Sequence, residues 1–214
     1  MSCTRSLRRS FPALLVLLLA LAANPAGATT FAEARAKINS LRASGNSALA
    51  AQEPILQAFE VWAKQFYASA DRGSDEAARS LFEAIHPLMK DLYDHNRNKT
   101  ESMVQATIRA DGDLEATQAA PEFRDAEIAR LRTLYHLNWV SYLGATMVPE
   151  SRRKPLLQFA VEGFGEFVVG PDAEIAREAL FGRSQAYKGL EDWDEALADL
   201  RRLIELGPSS PHYA

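Results

Sequence analysis

Histidine and acidic side chains are the residues of this sequence that could do chemistry, and few of them have the spacing that a catalytic or metal-binding site needs. Glu83 and His86 form an E-x-x-H pair, which places a carboxylate and an imidazole on one helix face, as a di-iron helix bundle requires. Such a site needs a second pair of this kind and two further glutamates, and the sequence contains no second pair. We therefore interpret His86 as an ordinary helical histidine.

The remaining histidines, His95, His136 and His212, do not complete a catalytic or metal-binding motif. The sequence has no H-E-x-x-H zinc motif, no clear hydrolase triad and no phosphate-binding glycine loop. We expect His95 to be a solvated or a capping residue and His136 to be structural. The single cysteine, Cys3, lies in the N-terminal leader, so the mature chain has no thiolate ligand or nucleophile. These observations predict a protein that is not an enzyme and that binds no cofactor and no metal.

The first 28 residues predict a cleavable secretory signal peptide. A basic stretch precedes an apolar run over residues 11–23, which is shorter than the roughly 20 residues that span a bilayer. The small residues Ala26 and Ala28 match the signal-peptidase rule, which predicts cleavage before Thr29. We expect export to the periplasm or beyond, by the general secretory route, without a membrane anchor after cleavage. An arginine pair in the basic stretch leaves the twin-arginine route as the alternative.

The charge of the mature chain argues against a nucleic-acid partner. Three of the 24 basic residues lie in the leader, which leaves 21 basic against 28 acidic residues and a net charge of −7. A nucleic-acid-binding protein normally carries a basic surface patch. We therefore expect a protein or peptide partner.

The spacing of apolar residues predicts an all-α protein. They recur at intervals of three and four residues through most of the mature sequence, and no sustained alternation indicates a strand. We divide the mature chain into a less regular helical region over residues 29–120 and a repeat-like region over residues 121–214, which we expect to be cut short at its C-terminal end.

Four helices are expected in the first region. The first begins at Thr30 and the second at Pro54. The third should kink or break about one turn before Pro87, because proline lacks the amide hydrogen that the helix needs. A polar stretch over residues 94–99 should separate the third helix from a fourth, which covers residues 100–110 and ends at an Asp-Gly-Asp sequence.

Two further helices begin the second region, over about residues 121–144 and 152–169. Gly163 and Gly165 fall within the second of these, where each costs roughly 1 kcal/mol of helix propensity relative to alanine. Close packing against a neighbouring helix would explain both.

The last forty residues predict two antiparallel helices that meet at Gly189. The small side chains of Ala186 and Ala196 should let the two backbones approach closely. Asp192 and Glu195 should form a capping pair at the start of the second helix. That helix should turn one apolar stripe inward: Trp193, Ala196, Leu197, Leu200, Leu203 and Ile204. The expected packing residues of the pair are Ala179, Leu180, Ala186, Tyr187, Trp193, Ala196, Leu200 and Pro208.

This stretch resembles one tetratricopeptide repeat and covers about a sixth of the chain. Tyr187, Ala196 and Pro208 match the repeat pattern, whereas Arg183 and Ser184 stand where leucine and glycine are usual. The resemblance implies antiparallel helix pairs stacked as a right-handed solenoid, because one pair cannot bury its outer face alone. The two helices upstream could form a degenerate earlier repeat.

The resemblance also implies a function in binding. In tetratricopeptide stacks the first helix of each repeat lines a concave groove, and here the matching residues are Glu178, Phe181, Gln185 and Lys188. We expect an exported helical scaffold that mediates protein–protein interaction in a bacterial cell envelope. Two alternatives remain open. The chain could be the helical accessory region of a longer enzyme, such as a cell-wall lytic enzyme with its catalytic domain beyond Ala214, or a structural oligomerisation module.

Overall fold

A computed structural model describes residues 76–169 and 173–207, together with two isolated helical residues, Ala36 and Ser40. These residues contain six helices and no strand, so the all-α prediction is confirmed for this part of the chain. The leader with its cleavage residues Ala26 and Ala28, the first two expected helices apart from Ala36 and Ser40, and Pro208 lie outside the described residues. The helices are α1 (Glu76–Arg109), α2 (Leu114–Ala119), α3 (Pro121–Ala145), α4 (Glu150–Gly165), α5 (Ala173–Gly189) and α6 (Trp193–Glu205).

Helix α1 is a single helix of 34 residues, so of the kink or break expected before Pro87 the break is wrong. A proline inside a helix costs about 3 kcal/mol, because it removes one hydrogen bond and its ring crowds the preceding turn. Ile85, Met89 and Leu92 lie on both sides of the proline and are completely buried. Burying each of these side chains contributes roughly 1.5–3 kcal/mol, which together exceeds the cost of the proline.

The polar stretch that was expected to end this helix also lies within α1. Its inward-facing member, Asn96, is buried and donates from Nδ2 to Thr133 Oγ1 of α3 at 3.2 Å. One turn later, the buried Thr100 donates to the carbonyl oxygen of Arg97 at 2.9 Å. Because the buried polar groups have partners, the helix continues and the predicted separation into two helices is wrong.

The predicted end of this helix is confirmed at the Asp-Gly-Asp sequence. Asp111 adopts a left-handed backbone conformation with φ of 50°, which stops α1. Asp113 then caps α2, because its Oδ1 accepts hydrogen bonds from the backbone N–H groups of Glu115 at 2.8 Å and Ala116 at 3.1 Å.

The helices pack in an order that largely follows the sequence. Helix α1 packs on α3, α3 on α4, α4 on α5 and α5 on α6, with a smaller contact between α3 and α5. The connections over residues 146–149 and 190–192 are short, so the helices that they join run antiparallel. The core follows this row of helices, and its largest fully buried side chains are Phe82, Phe164, Ile85, Met89, Leu92, Leu134 and Leu137.

Gly163 lies at a close approach between α3 and α4. A β-carbon built on Gly163 would overlap the side-chain amide of Asn138, which is completely buried. The close packing expected here is confirmed. At Gly165 a β-carbon would meet only Arg183 Nη1, at 3.7 Å, which is an ordinary contact, so close packing does not explain that glycine.

Candidate interaction surface

The Glu83 and His86 pair does not form a joint site. Glu83 pairs with Arg152 at 2.9 Å, whereas His86 Nε2 lies 3.3 Å from the hydroxyl of Ser141, which is completely buried. Burial, with smaller contributions from the positive charges of Arg152 and Lys90, lowers the pKa of His86 to about 4. His86 is therefore neutral at pH 7 and helps to join α1 to α3.

His136 lies on α3 and is almost fully buried. Burial lowers its pKa to about 3, with a smaller contribution from the positive charge of Arg132. His95, by contrast, is exposed on α1. Over residues 76–169 and 173–207, no group of three or more histidine, cysteine or acidic side chains is placed to hold a metal ion.

The groove expected along α5 is only partly open. Lys188 is exposed, Phe181 and Gln185 are half-buried, and Glu178 is buried with 4% of its surface exposed. The prediction that all four would line an open groove is wrong for Glu178. The reason is that α5 packs between α4 and α6 and also touches α3, so little of its surface reaches solvent.

An ion pair joins α5 to α6. Arg183 donates from Nε to Asp199 Oδ2 at 2.7 Å and from Nη2 to Oδ1 at 2.6 Å. Asp199 is only 3% exposed, and its hydrogen bonds raise the pKa of the Arg183 guanidinium. The guanidinium also lies 5.9 Å from the ring centre of Tyr187. Arginine, in place of the leucine usual in the repeat pattern, is thus paired with an acidic residue on the facing helix.

Two more arginines hold the C-terminal end of α6. Arg177 of α5 donates from Nη2 to the carbonyl oxygen of Leu206 at 2.9 Å. Arg202 of α6 donates to the carbonyl oxygen of Val168 at 3.3 Å. Together with the ion pair to α5, these bonds hold the C-terminal half of α6 against its neighbours.

The start of α6 differs from the expectation. Asp192 precedes the helix, but its side chain makes no capping hydrogen bond, so the capping pair predicted with Glu195 is wrong. Glu191 adopts a left-handed conformation with φ of 64°, and the backbone N–H of Asp192 bonds to the carbonyl oxygen of Tyr187 at 3.0 Å. The turn is therefore closed by backbone hydrogen bonds.

The apolar stripe of α6 is only half covered. Ala196 and Leu203 are buried, in agreement with the expected inward packing. Trp193, Leu197 and Ile204, however, are 54%, 49% and 60% exposed, so the inward orientation expected for these three is wrong. The physical reason is that α6 is the last described helix and α5 is its main neighbour, which covers one side of it.

We call the exposed row Trp193, Leu197, Leu200 and Ile204 the α6 seam, in which Leu200 is half-buried. The seam forms a contiguous line of large apolar side chains beside the face that contacts α5. Contiguous exposed apolar surface of this kind marks interaction sites more often than scattered apolar residues do. The sequence indicated this exposed row, because seven of the 13 residues of α6 are apolar, too many for one neighbouring helix to cover.

No protein-family model matches this chain, and no curated protein or solved structure is significantly similar to it. Within the described ranges, no helix combines the length and the apolar character that a membrane crossing needs.

Proposed function

We propose that this chain is an exported helical scaffold, tetratricopeptide-like in its C-terminal part, that mediates protein–protein interaction in a bacterial cell envelope. The observation that carries the proposal is the α6 seam, a row of large apolar side chains on a helix that is firmly attached to the rest of the fold. The proposal places the partner-binding surface on α6 instead of on the expected groove of α5.

Three features support this assignment. The leader predicts export, and the α5–α6 region resembles a tetratricopeptide unit, a unit that occurs in stacks used for binding. The third feature is the chemistry of the seam itself. Tryptophan, leucine and isoleucine offer a large apolar area and few hydrogen-bonding groups, so they suit a partner that presents its own apolar row, such as an amphipathic helix.

The central position of the seam offers a direct test. A photo-crosslinking amino acid replaces Leu197 in the full chain, which is expressed in its own host and recovered from the envelope fraction. Ala198 is the matched control, because it is exposed on the same helix and points about 100° away from Leu197. We expect recovery of a chain that begins at Thr29, with discrete protein adducts at position 197 and few at position 198.

Equal labelling at both positions would contradict the assignment of the seam as the binding surface. Adducts at neither position would contradict the proposed function.

A further inference from the structure

The spacing of the α6 seam is that of a coiled-coil contact. Its members follow each other at intervals of four, three and four residues, the alternation at which side chains return to one side of a supercoiled helix. In heptad notation, Trp193 and Leu200 occupy d positions, and Leu197 and Ile204 occupy a positions. A helix with this row packs well against another helix that carries its own row of apolar a and d residues.

Only one of the two flanks of the seam is open to a docking helix. On one flank, Ala196 and Leu203 are buried in contacts within the chain. On the other flank, Asp194 and Arg201 are both exposed, and each directly follows a d residue of the seam. A helix that docks on the seam therefore meets charged residues on one side only, one acidic and one basic.

These charges favour one arrangement. If two copies of α6 lie antiparallel, each a position packs against a d position of the other copy, e positions face e positions along one flank, and g positions face g positions along the other. Asp194 of each copy then lies opposite Arg201 of the other, which gives two equivalent ion pairs. In a parallel arrangement the same residues would face the flank of Ala196 and Leu203, which is already covered.

We propose that the α6 seam pairs with the α6 seam of a second copy of this chain in antiparallel orientation. This proposal rests on the proposed function and names its partner. Leu197 packs against Leu200 of the second copy, and Trp193 packs against Ile204 of the second copy.

The size of the contact predicts its strength. Helix α6 has 13 residues, which corresponds to a length of about 20 Å. Two helices in contact over that length should bury less total surface than the roughly 1,200 Å² that stable complexes usually reach. We therefore expect a reversible dimer with a dissociation constant on the order of ten micromolar, since weak association goes with small interfaces.

Charge exchange at the flank tests the pairing. Sedimentation equilibrium compares the full chain with Asp194→Arg, Arg201→Asp and the double variant, and circular dichroism checks that each retains its helix content. Either single variant should weaken dimerisation about tenfold, because it places like charges opposite each other. The double variant should restore it, and a mixture of the two single variants should form a mixed dimer.

The proposal is overturned if the chain stays monomeric at several hundred micromolar. The proposal is equally overturned if the chain dimerises and the charge variants associate as strongly as the original chain while their helix content is unchanged.

Disulfide trapping tests the orientation. In a Cys3→Ser background the chain contains no other cysteine. Trp193→Cys mixed with Ile204→Cys should give a disulfide-linked dimer, whereas each variant alone should give little, because the antiparallel arrangement separates identical positions by about 16 Å along the helix. Efficient linkage of Trp193→Cys to itself would contradict the antiparallel arrangement.

The crosslinks at position 197 separate this proposal from the proposed function. Adducts of twice the chain mass support self-pairing. Adducts that contain only other proteins overturn self-pairing and leave the proposed function standing, whereas the absence of any adduct overturns both.

Discussion

At the residue scale, the two polar side chains that resembled one half of a di-iron site act in packing. Glu83 forms an ion pair with Arg152 across the surface, and His86 meets the buried Ser141 of α3. His86 and His136 are both held neutral by burial. Their chemistry therefore affects the stability of the fold, and it does so through pH.

The two histidines should make the protein less stable in mild acid. Their pKa values are about 4 and about 3 in the folded chain, below the ordinary value of 6.5. At a pH between these folded-state values and 6.5, the unfolded chain therefore binds more protons than the folded chain. The free energy of unfolding should be highest above pH 6.5 and should fall below it by up to about 1.4 kcal/mol per pH unit for each histidine. Urea unfolding at pH 7.0, 6.0, 5.5 and 5.0 measures this slope.

A single substitution assigns part of that slope to one residue. His86→Gln should reduce the fall in the free energy of unfolding between pH 6 and 5 by the contribution of one histidine, close to 1.4 kcal/mol per pH unit. His95→Gln is the matched control, since His95 is exposed on the same helix, and it should leave the slope unchanged. Equal stability of the original chain at pH 7 and pH 5 would show that neither histidine is held neutral by the fold.

At the element scale, the contacts between helices decide which local preferences prevail. Gly163 is unfavourable for helix formation, yet it allows α3 and α4 to approach at Asn138. Pro87 is similarly unfavourable in α1, and the buried side chains around it keep the helix intact. In both cases packing contributes more free energy than the local preference costs.

A pair of glycine substitutions tests this explanation. Gly163→Ala should lower the free energy of unfolding by about 1–2 kcal/mol, because the overlap with buried Asn138 outweighs the gain in helix propensity. Gly165→Ala in the same helix should cause no loss, because its β-carbon meets only Arg183 Nη1 at 3.7 Å. Urea unfolding at pH 7 compares the two variants. A loss at Gly165 equal to that at Gly163 would count against close packing as the cause.

At the scale of the whole molecule, the described helices form a row in which packing follows the sequence order. Helix α6 lies at one end and is held mainly by α5, whereas α3 and α4 each have neighbours on two sides. In such an arrangement, stability is largely a sum of contacts between neighbours, so the end should open more readily than the middle.

Hydrogen exchange should reveal this gradient. Leu203→Ala removes a buried side chain between α6 and the rest of the fold, at a cost of about 2–4 kcal/mol. Amide protection should then fall in α5 and α6 and change little in α1 and α3. Leu206→Ala is the control, since Leu206 is 40% exposed, and it should change protection little anywhere. An equal loss of protection in all helices after Leu203→Ala would indicate that the fold opens as one unit.

The sequence by itself determined those features that depend on nearby residues. The helical periodicity, the end of α1 at Asp111, the beginning of α3 at Pro121 and the turn after Gly189 all follow from local backbone chemistry. The burial of Ala186 on α5 and of Ala196 and Leu203 on α6 was also predictable, since each falls on the apolar face of its own helix.

Only the tertiary structure decided which predicted faces are covered. The burial of Glu178, the exposure of Trp193 and the continuity of α1 through Pro87 each depend on how many helices lie alongside. That number follows from contacts between residues far apart in the chain, which helical periodicity does not encode. Periodicity shows that a helix has an apolar face, but the free energy of burying that face is gained only where a neighbour covers it.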